Sequence, residues 1–445
     1  RPPKGHTNDP NAPFLDPATG LYHLFMQYCP KGPCGPGNRQ AFGHVVSKDL
    51  TTWAWVAPPA LLPNGAGCPN TGGCFTGSTT FVGGVPNILY PGVHNTPAGD
   101  IAMSQCVAVP AAPGDPLLTN WTSRVIIPGP PAGLSYRFHD DSQAWKREED
   151  GRWWMFLGGG TEGEGPQTAV APLYSSQEFV TWRYEHSLFN TTWGGLFSCP
   201  EMYALPGMAP SEVLFEALVK GDDVWVGTLN SSSVQFTPYT PDPVSKYDYG
   251  AGHASKSMFE GGNGTTGRRI LWSWISGKQP PSDSYIGWDD ALSVPRVVSW
   301  DPALRCISTP PVPELESLRT HTLFSTATKV EAGQPVVLAT NTSFRSDVNA
   351  TFTLPSALPH GMCATAGLRV LASSADGGIV VSVKVCGGAK GTLTVDGSPV
   401  GAGVYTAPFP MAESPLGMSL RILVDGSVVE TYAQGGRAVV SSRVY

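Results

Sequence analysis

Two stretches decide the fold: Ser47-Lys48-Asp49-Leu50-Thr51-Thr52-Trp53 and Ser175-Ser176-Gln177-Glu178-Phe179-Val180-Thr181-Trp182. Each closes an apolar run with a polar turn and then an aromatic. Ser and Asp favour such turns because their side chains bond nearby backbone. Two copies in one chain read as the same hairpin position in two blades of a β-propeller. Outward from them, aromatic and β-branched runs at 21–28, 43–47, 152–158, 223–229 and 270–275 alternate with Gly, Pro, Asn and Asp clusters. Helical periodicity is nearly absent, so the fold class is all-β. The character changes in the Pro-rich passage at 309–318. We read 1–308 as the propeller, 309–320 as a linker, and 321–445 as a β-sandwich with alternating strands at 367–372, 378–385, 419–424 and 428–432.

The chain has 445 residues, of which 14% are charged, against about 25% in an average soluble domain. Gly 52 and Pro 43 are abundant, but 41% hydrophobic residues and 13 Trp argue against disorder. A net charge of −7 excludes a basic nucleic-acid platform. No uncharged apolar run reaches the roughly 18–20 residues of a transmembrane helix. The chain opens at Arg1 without an apolar leader and is expected to be a mature or trimmed product. Six Asn-x-Ser/Thr acceptor sites, at Asn120, Asn190, Asn230, Asn263, Asn341 and Asn349, point to N-linked glycans and a secreted, cell-wall or vacuolar protein. Among nine cysteines, Cys29/Cys34 and Cys68/Cys74 are close pairs in Gly/Pro loops and are expected to form local bridges. The odd count leaves a thiol, expected at Cys199. Without Cys-x-x-Cys or His-rich spacing, no zinc site is expected.

Three acidic spots stand out. Asp9 lies in Asn8-Asp9-Pro10-Asn11, Asp140 and Asp141 follow His139, and Glu201 is an isolated acid in Phe197-Ser198-Cys199-Pro200-Glu201-Met202-Tyr203. A turn-forming Asp or a solvated acid explains each one singly. Burial among aromatics raises a carboxyl pKa, which suits Glu201 to the part of a general acid. Acids far apart in sequence can meet at a propeller's centre. Two carboxyls about 5–5.5 Å apart are what retaining glycoside hydrolysis requires.

The blocks carry a resemblance when taken in order. Pro3-Lys4, Asn8 to Pro13, Tyr22 to Phe25 and Gln27-Tyr28, followed by Phe42-Gly43-His44, Phe75-Thr76-Gly77-Ser78, Phe138-His139-Asp140, Ala254-Ser255-Lys256, and the closing Leu423 to Glu430 and Ser442 to Tyr445, resemble glycoside hydrolase family 32, most of all its plant-type invertases and fructan hydrolases. The resemblance covers essentially the whole chain. It implies a five-bladed propeller followed by a β-sandwich, no cofactor, and a sucrose or fructan substrate cleaved at terminal β-fructofuranosyl units. It implies Asp9 as nucleophile and Asp140 as the residue steadying the transition state. It implies Asn8, Gln27, Phe75 and Ser78 on the fructose subsite, with His139 where the family has Arg.

The departures are as informative. The family's acid/base Glu stands directly before a Cys, and here that position is Ser198. Loss of a general acid costs about 10²–10⁴ in rate. Glu201 is the nearby carboxyl, three residues on, and reaches the same face only if a bulge at Pro200 re-aims it. Asp141 replaces a Pro, Phe42 replaces a Trp, and His6 replaces a Trp near the nucleophile. Two other classes fit the residues less fully: a homologue that binds carbohydrate without cleaving it, and a glycosidase of a neighbouring propeller family.

Overall fold

The computed structural model describes every residue except 36, 97–98, 100, 135–140, 162–166, 262–266, 278–286, 339–343, 355–357, 373–376, 388–389, 412–416 and 445. Two compact units emerge: Arg1–Asp248 with Gly252–Ser308, and Thr309–Tyr445 with Tyr249–Ala251.

The first unit is five antiparallel sheets, which are the five blades of a propeller. Their first strands are Gly5–Leu15 (blade I), Ser78–Val82 (II), Ser142–Lys146 (III), Ser198–Tyr203 (IV) and Gly252–Glu260 (V). Neighbouring first strands touch in a closed circuit, I to II to III to IV to V and back to I. Closure is reinforced where Trp288–Asp289 pairs parallel with Gly5 and His6. The middle strands Tyr22–Cys29 and Ala41–Ser47 of blade I are buried along their whole length, because both faces are covered by neighbouring blades. The apolar clusters accordingly lie between blades. One gathers Phe25, Phe42, Ile88 and Tyr90, and another Phe156, Phe197, Phe215 and Trp225.

The two stretches that open the sequence reading occupy one position, the turn between third and fourth strands. Ser47 Oγ accepts the Leu50 N–H at 2.9 Å, and Ser176 Oγ accepts the Phe179 N–H at 3.0 Å. Leu50 and Phe179 adopt left-handed backbone at φ 62° and 65°. The same left-handed residue recurs before the fourth strand of every blade, as Leu118 (φ 45°), Val234 (φ 49°) and Arg305 (φ 49°). The sequence reveals two copies because only those share the spaced Ser, acid and Trp.

The second unit is a sandwich of two four-stranded antiparallel sheets. Strands such as Ile379–Cys386 alternate buried and more exposed residues, so Ile379, Val381, Val383 and Val385 share the core with Leu393 and Phe409 of their own sheet and Ile422 of the other. Residues Pro313–Leu318 form a 3₁₀ turn that buries Leu315. Tyr249 and Ala251 donate to the carbonyls of Val439 and Ser441 at 2.9 and 2.7 Å, extending a sheet edge of this unit. Gly250 is required there, since a Cβ would stand 2.1 Å from the Ser441 carbonyl oxygen.

The cysteine expectation needs one correction. Cys29–Cys34 is a disulfide, but Cys68 bonds Cys106 and not Cys74, and Cys363 bonds Cys386 across a hairpin. The loop after Cys68 turns its sulfur onto the neighbouring strand, across Gly92, where a Cβ would stand 2.3 Å from Cys68 Sγ. Cys74 is a buried thiol that accepts from Asn70 Nδ2 at 3.1 Å. Cys199 and Cys306 also carry buried thiols.

Candidate functional site

Asp9 sits where the first strand of blade I slips register against its neighbour, between Thr7 and Pro10. That bulge lets Asn8 and Asp9 leave the regular ladder. Asp9 Oδ2 accepts from Thr76 Oγ1 at 2.6 Å, from Gln27 Nε2 at 3.4 Å and from the Cys199 thiol at 3.9 Å. Gln27 is itself fixed. Its Nε2 donates to Thr76 Oγ1 at 2.8 Å, and its Oε1 accepts from Asn8 Nδ2 at 2.7 Å. The side-chain donors converge on Oδ2. Among the described residues, Oδ1 accepts no side-chain hydrogen bond, and Asp9 keeps part of its surface in solvent while Gln27, Thr76 and Cys199 are buried. Burial raises the Asp9 carboxyl above its ordinary 3.8, against the Thr76 hydrogen bond and the positive fields of His253 and Lys256.

Blades IV and V repeat one local device. In blade IV, Ser198 pairs with Leu218 and Glu201 with Glu216, so three residues oppose two. In blade V, His253 pairs with Trp274 and Lys256 with Trp272, again three against two. The extra residue follows directly in each case, at Cys199 and Ala254, both left-handed at φ 51°. Blade III carries a left-handed residue at the start of its first strand too, Asp141 at φ 66°. Counting from these residues, Ser198 and His253 are equivalent, and so are Gln143, Glu201 and Lys256.

The equivalence extends to bonding. Gln143 Oε1 accepts the N–H of Met202 in the next blade at 2.6 Å, and Glu201 Oε1 accepts the N–H of Ser257 in the next blade at 3.1 Å. Ser257 Oγ also donates to Glu201 Oε2 at 2.5 Å and receives Arg269 Nη1 at 2.8 Å. Lys256 Nζ stands 3.8 Å from Glu201, ion-pairs with Asp141 and donates to the Cys199 carbonyl at 3.2 Å. Burial of Lys256 favours loss of its charge, but Asp141 and Glu201 outweigh it and hold the ammonium above its ordinary value. Burial pushes Asp141 up to about 7 against the pull of Lys256.

The expected residues therefore separate. Asp9, Asn8 and Gln27 form one connected group. The bulge does return Glu201 to the face of Ser198, but its oxygens are engaged by Ser257 and Lys256 in a tie between blades. Phe75 is half-buried on the segment that leads to Thr76, its N–H bonded to the Pro91 carbonyl at 3.0 Å. Ser78 is buried, and its hydroxyl donates to the Ser142 carbonyl of blade III. His139 and Asp140 lie outside the described residues. Thr76, Cys199, His253 and Lys256 join the surroundings of Asp9 without having been singled out for it. Thr76 and Lys256 fall within the quoted blocks, but their targets lie in other blades.

One grouping has ligand-like spacing among the described residues: atoms of His6, Asp289 and Asp290 within 4.8 Å of one another. His6 Nδ1 is 3.4 Å from Asp289, while Asp290 already accepts from Trp274 Nε1 at 2.9 Å and the Gly277 N–H at 3.1 Å. Protein donors thus occupy the Asp290 carboxylate. No helix among the described residues is long and apolar enough to cross a membrane.

The chain matches the family model for the N-terminal domain of glycosyl hydrolases family 32 over residues 1–310 and that for the C-terminal domain over residues 314–445. It is 28% identical over 508 residues to a fructan 1-exohydrolase of Bromus pictus, covering 100% of this chain and 80% of that protein. It is 28% identical over 506 residues to an insoluble β-fructofuranosidase isoenzyme of Arabidopsis thaliana, covering 100% and 88%. The crystal structure of fructan 1-exohydrolase IIa from Cichorium intybus superposes with a TM-score of 0.87 at 25% identity, covering 100% and 90%.

Proposed function

Because this chain belongs to glycosyl hydrolases family 32, we propose that it releases terminal β-fructofuranosyl units from sucrose or fructans by retaining double displacement. The observation that carries the reading is the state of Asp9. Donors clamp Oδ2, and Oδ1 has no side-chain partner among the described residues. A nucleophilic carboxylate needs that asymmetry: one oxygen held so that the other attacks along a fixed line.

Asp9 attacks the anomeric carbon as the glycosidic oxygen leaves with a proton, forming a fructosyl-enzyme. Water then attacks that ester, a base takes its proton, and fructose departs with net retention. Asn8 and Gln27, already ordered by their mutual hydrogen bond, offer polar groups to sugar hydroxyls. Asp140 takes the role its motif implies, holding hydroxyls whose bonds strengthen as positive charge builds on the ring. Exposed acceptor asparagines at 120, 190, 230 and 349, with three disulfides, support secretion as a glycoprotein.

The test is fructose release from sucrose and inulin, with the anomeric configuration of the first-formed product followed by NMR. The wild type is expected to give retained fructose and Asp9→Ala none above background. Undiminished release by Asp9→Ala removes the nucleophile assignment. Absence of release from every fructoside by the wild type removes the function.

A further inference from the structure

The reading above leaves the proton donor open, because Ser198 has no acidic proton to give near neutral pH and Glu201 ties blades IV and V together. We propose that His253 is the general acid/base of this chain, taking on blade V the work that the residue at Ser198 would take on blade IV. The inference rests on the proposed fructoside cleavage and adds to it the identity of one catalytic residue.

The geometry that points to His253 is the repeated bulge. Ser198 and His253 each precede a left-handed residue at φ 51°, and each stands three residues before a member of the Glu201–Lys256 pair. They are equivalent positions on adjacent first strands that touch. His253 is half-buried, neither sealed in the core nor loose in solvent. Its ring packs on Trp274 at 4.4 Å between centroids and 49° between planes, which fixes the imidazole's orientation. Its strand, Gly252–Glu260, packs along Gly5–Leu15 of blade I, the strand that carries Asp9. The charged groups around it are Asp9 and His6 from blade I, Asp222 from blade IV, and Lys256 on its own strand, with Asp289 and Asp290 beyond Trp274 and His6.

In the first half-reaction the imidazolium gives its proton to the glycosidic oxygen, the bond from that oxygen to the anomeric carbon breaks, and the aglycone leaves as a neutral alcohol. The electron pair of Asp9 forms the ester. In the second, neutral His253 takes a proton from the attacking water, fructose is released, and both the Asp9 carboxylate and the imidazolium are restored. Imidazole is the side chain that makes this exchange between about pH 5 and 8.

The test compares the wild type, His253→Gln and the double variant His253→Gln/Ser198→Glu on sucrose and on p-nitrophenyl β-fructofuranoside, whose leaving group needs no proton. His253→Gln is expected to lose about 10²–10⁴-fold in kcat on sucrose and far less on the activated substrate. It is also expected to lose the alkaline limb of the pH–rate profile. Restoring a carboxyl at 198 is expected to recover sucrose cleavage in the double variant. Equal losses on both substrates, or an unchanged profile, overturn His253 as the acid while leaving the fructosidase reading intact. A wild type inactive on both substrates overturns that reading instead. A misfolded His253→Gln, detected by its thermal transition, passes the decision to the wild-type profile with Ser198→Glu alone. Gain of a second, lower-pH ionisation supports the proposal, and no change overturns it.

Discussion

Thr76 controls how readily Asp9 ionises. Its hydroxyl, 67 residues away in sequence, donates at 2.6 Å and lowers a carboxyl that burial raises. Removing the donor lets the Asp9 pKa climb further. As the proposed nucleophile, Asp9 must be ionised, so activity in Thr76→Val is expected to fail at a higher pH on the acid side than in the wild type. A hydrogen bond to a charged group contributes about 1.5–3 kcal/mol, so kcat/KM is expected to drop at least about tenfold. A pH–rate profile of the two proteins checks both. Asp9 stands out in the sequence because its motif, Asn8 to Pro13, is local and rich in turn-formers. Thr76 was quoted in its block and still missed, because nothing local says which distant oxygen a hydroxyl will meet.

At the scale of the element, the bulge at Cys199 decides which face Glu201 occupies. Strict alternation puts a residue three positions on upon the opposite face, and the extra residue cancels that. A carboxyl restored to the face of Ser198 still has both oxygens engaged by Ser257 of the next blade. Gln143 performs the same tie from blade III with an amide. Glu201→Gln is therefore expected to keep the fold and to reduce turnover of sucrose and of an activated fructoside by similar, modest factors. A selective loss on sucrose would return the acid role to Glu201. Gln143→Ala, which leaves the Met202 N–H without its acceptor, is expected to destabilise the propeller by about 1–3 kcal/mol in a denaturant titration. The strands and turns were legible from composition and spacing. Which side chains cross between blades was not, because that depends on bulges that sequence alternation hides.

The whole molecule carries a cluster of buried acids whose titration sets its stability. Burial raises Asp222 from 3.8 to about 6 and Asp141 to about 7, and raises Glu216 well above its ordinary value, with Asp222 and Glu201 adding to it. Groups raised in this way bind protons more tightly in the folded state. Their stabilisation is complete below about pH 4 and is lost as pH rises towards 6 to 7. Exposed Asp49 and Asp150 run the other way: hydrogen bonds hold them at about 2, and they lose stabilisation only in stronger acid. Thermal stability is expected to peak between about pH 4 and 5 and to decline by pH 7.5. Asp222→Asn is expected to flatten the slope between pH 4 and 6, readable by calorimetry across that range. A change of character near residue 309 is visible in the sequence, and the second unit takes up the chain at Thr309. The return of Tyr249–Ala251 to the second unit is not visible there, since three residues inside a loop carry no periodicity.

A ring of like-shaped positions gives this architecture an evolutionary freedom. The inner strands of blades IV and V offer the same backbone socket at different angles around the axis. Losing a reactive side chain from one socket leaves its neighbours in place as sites for a substitute, and the scaffold needs no remodelling to accept one. Ser198 and His253 would then record a migration of chemistry by one step of rotation.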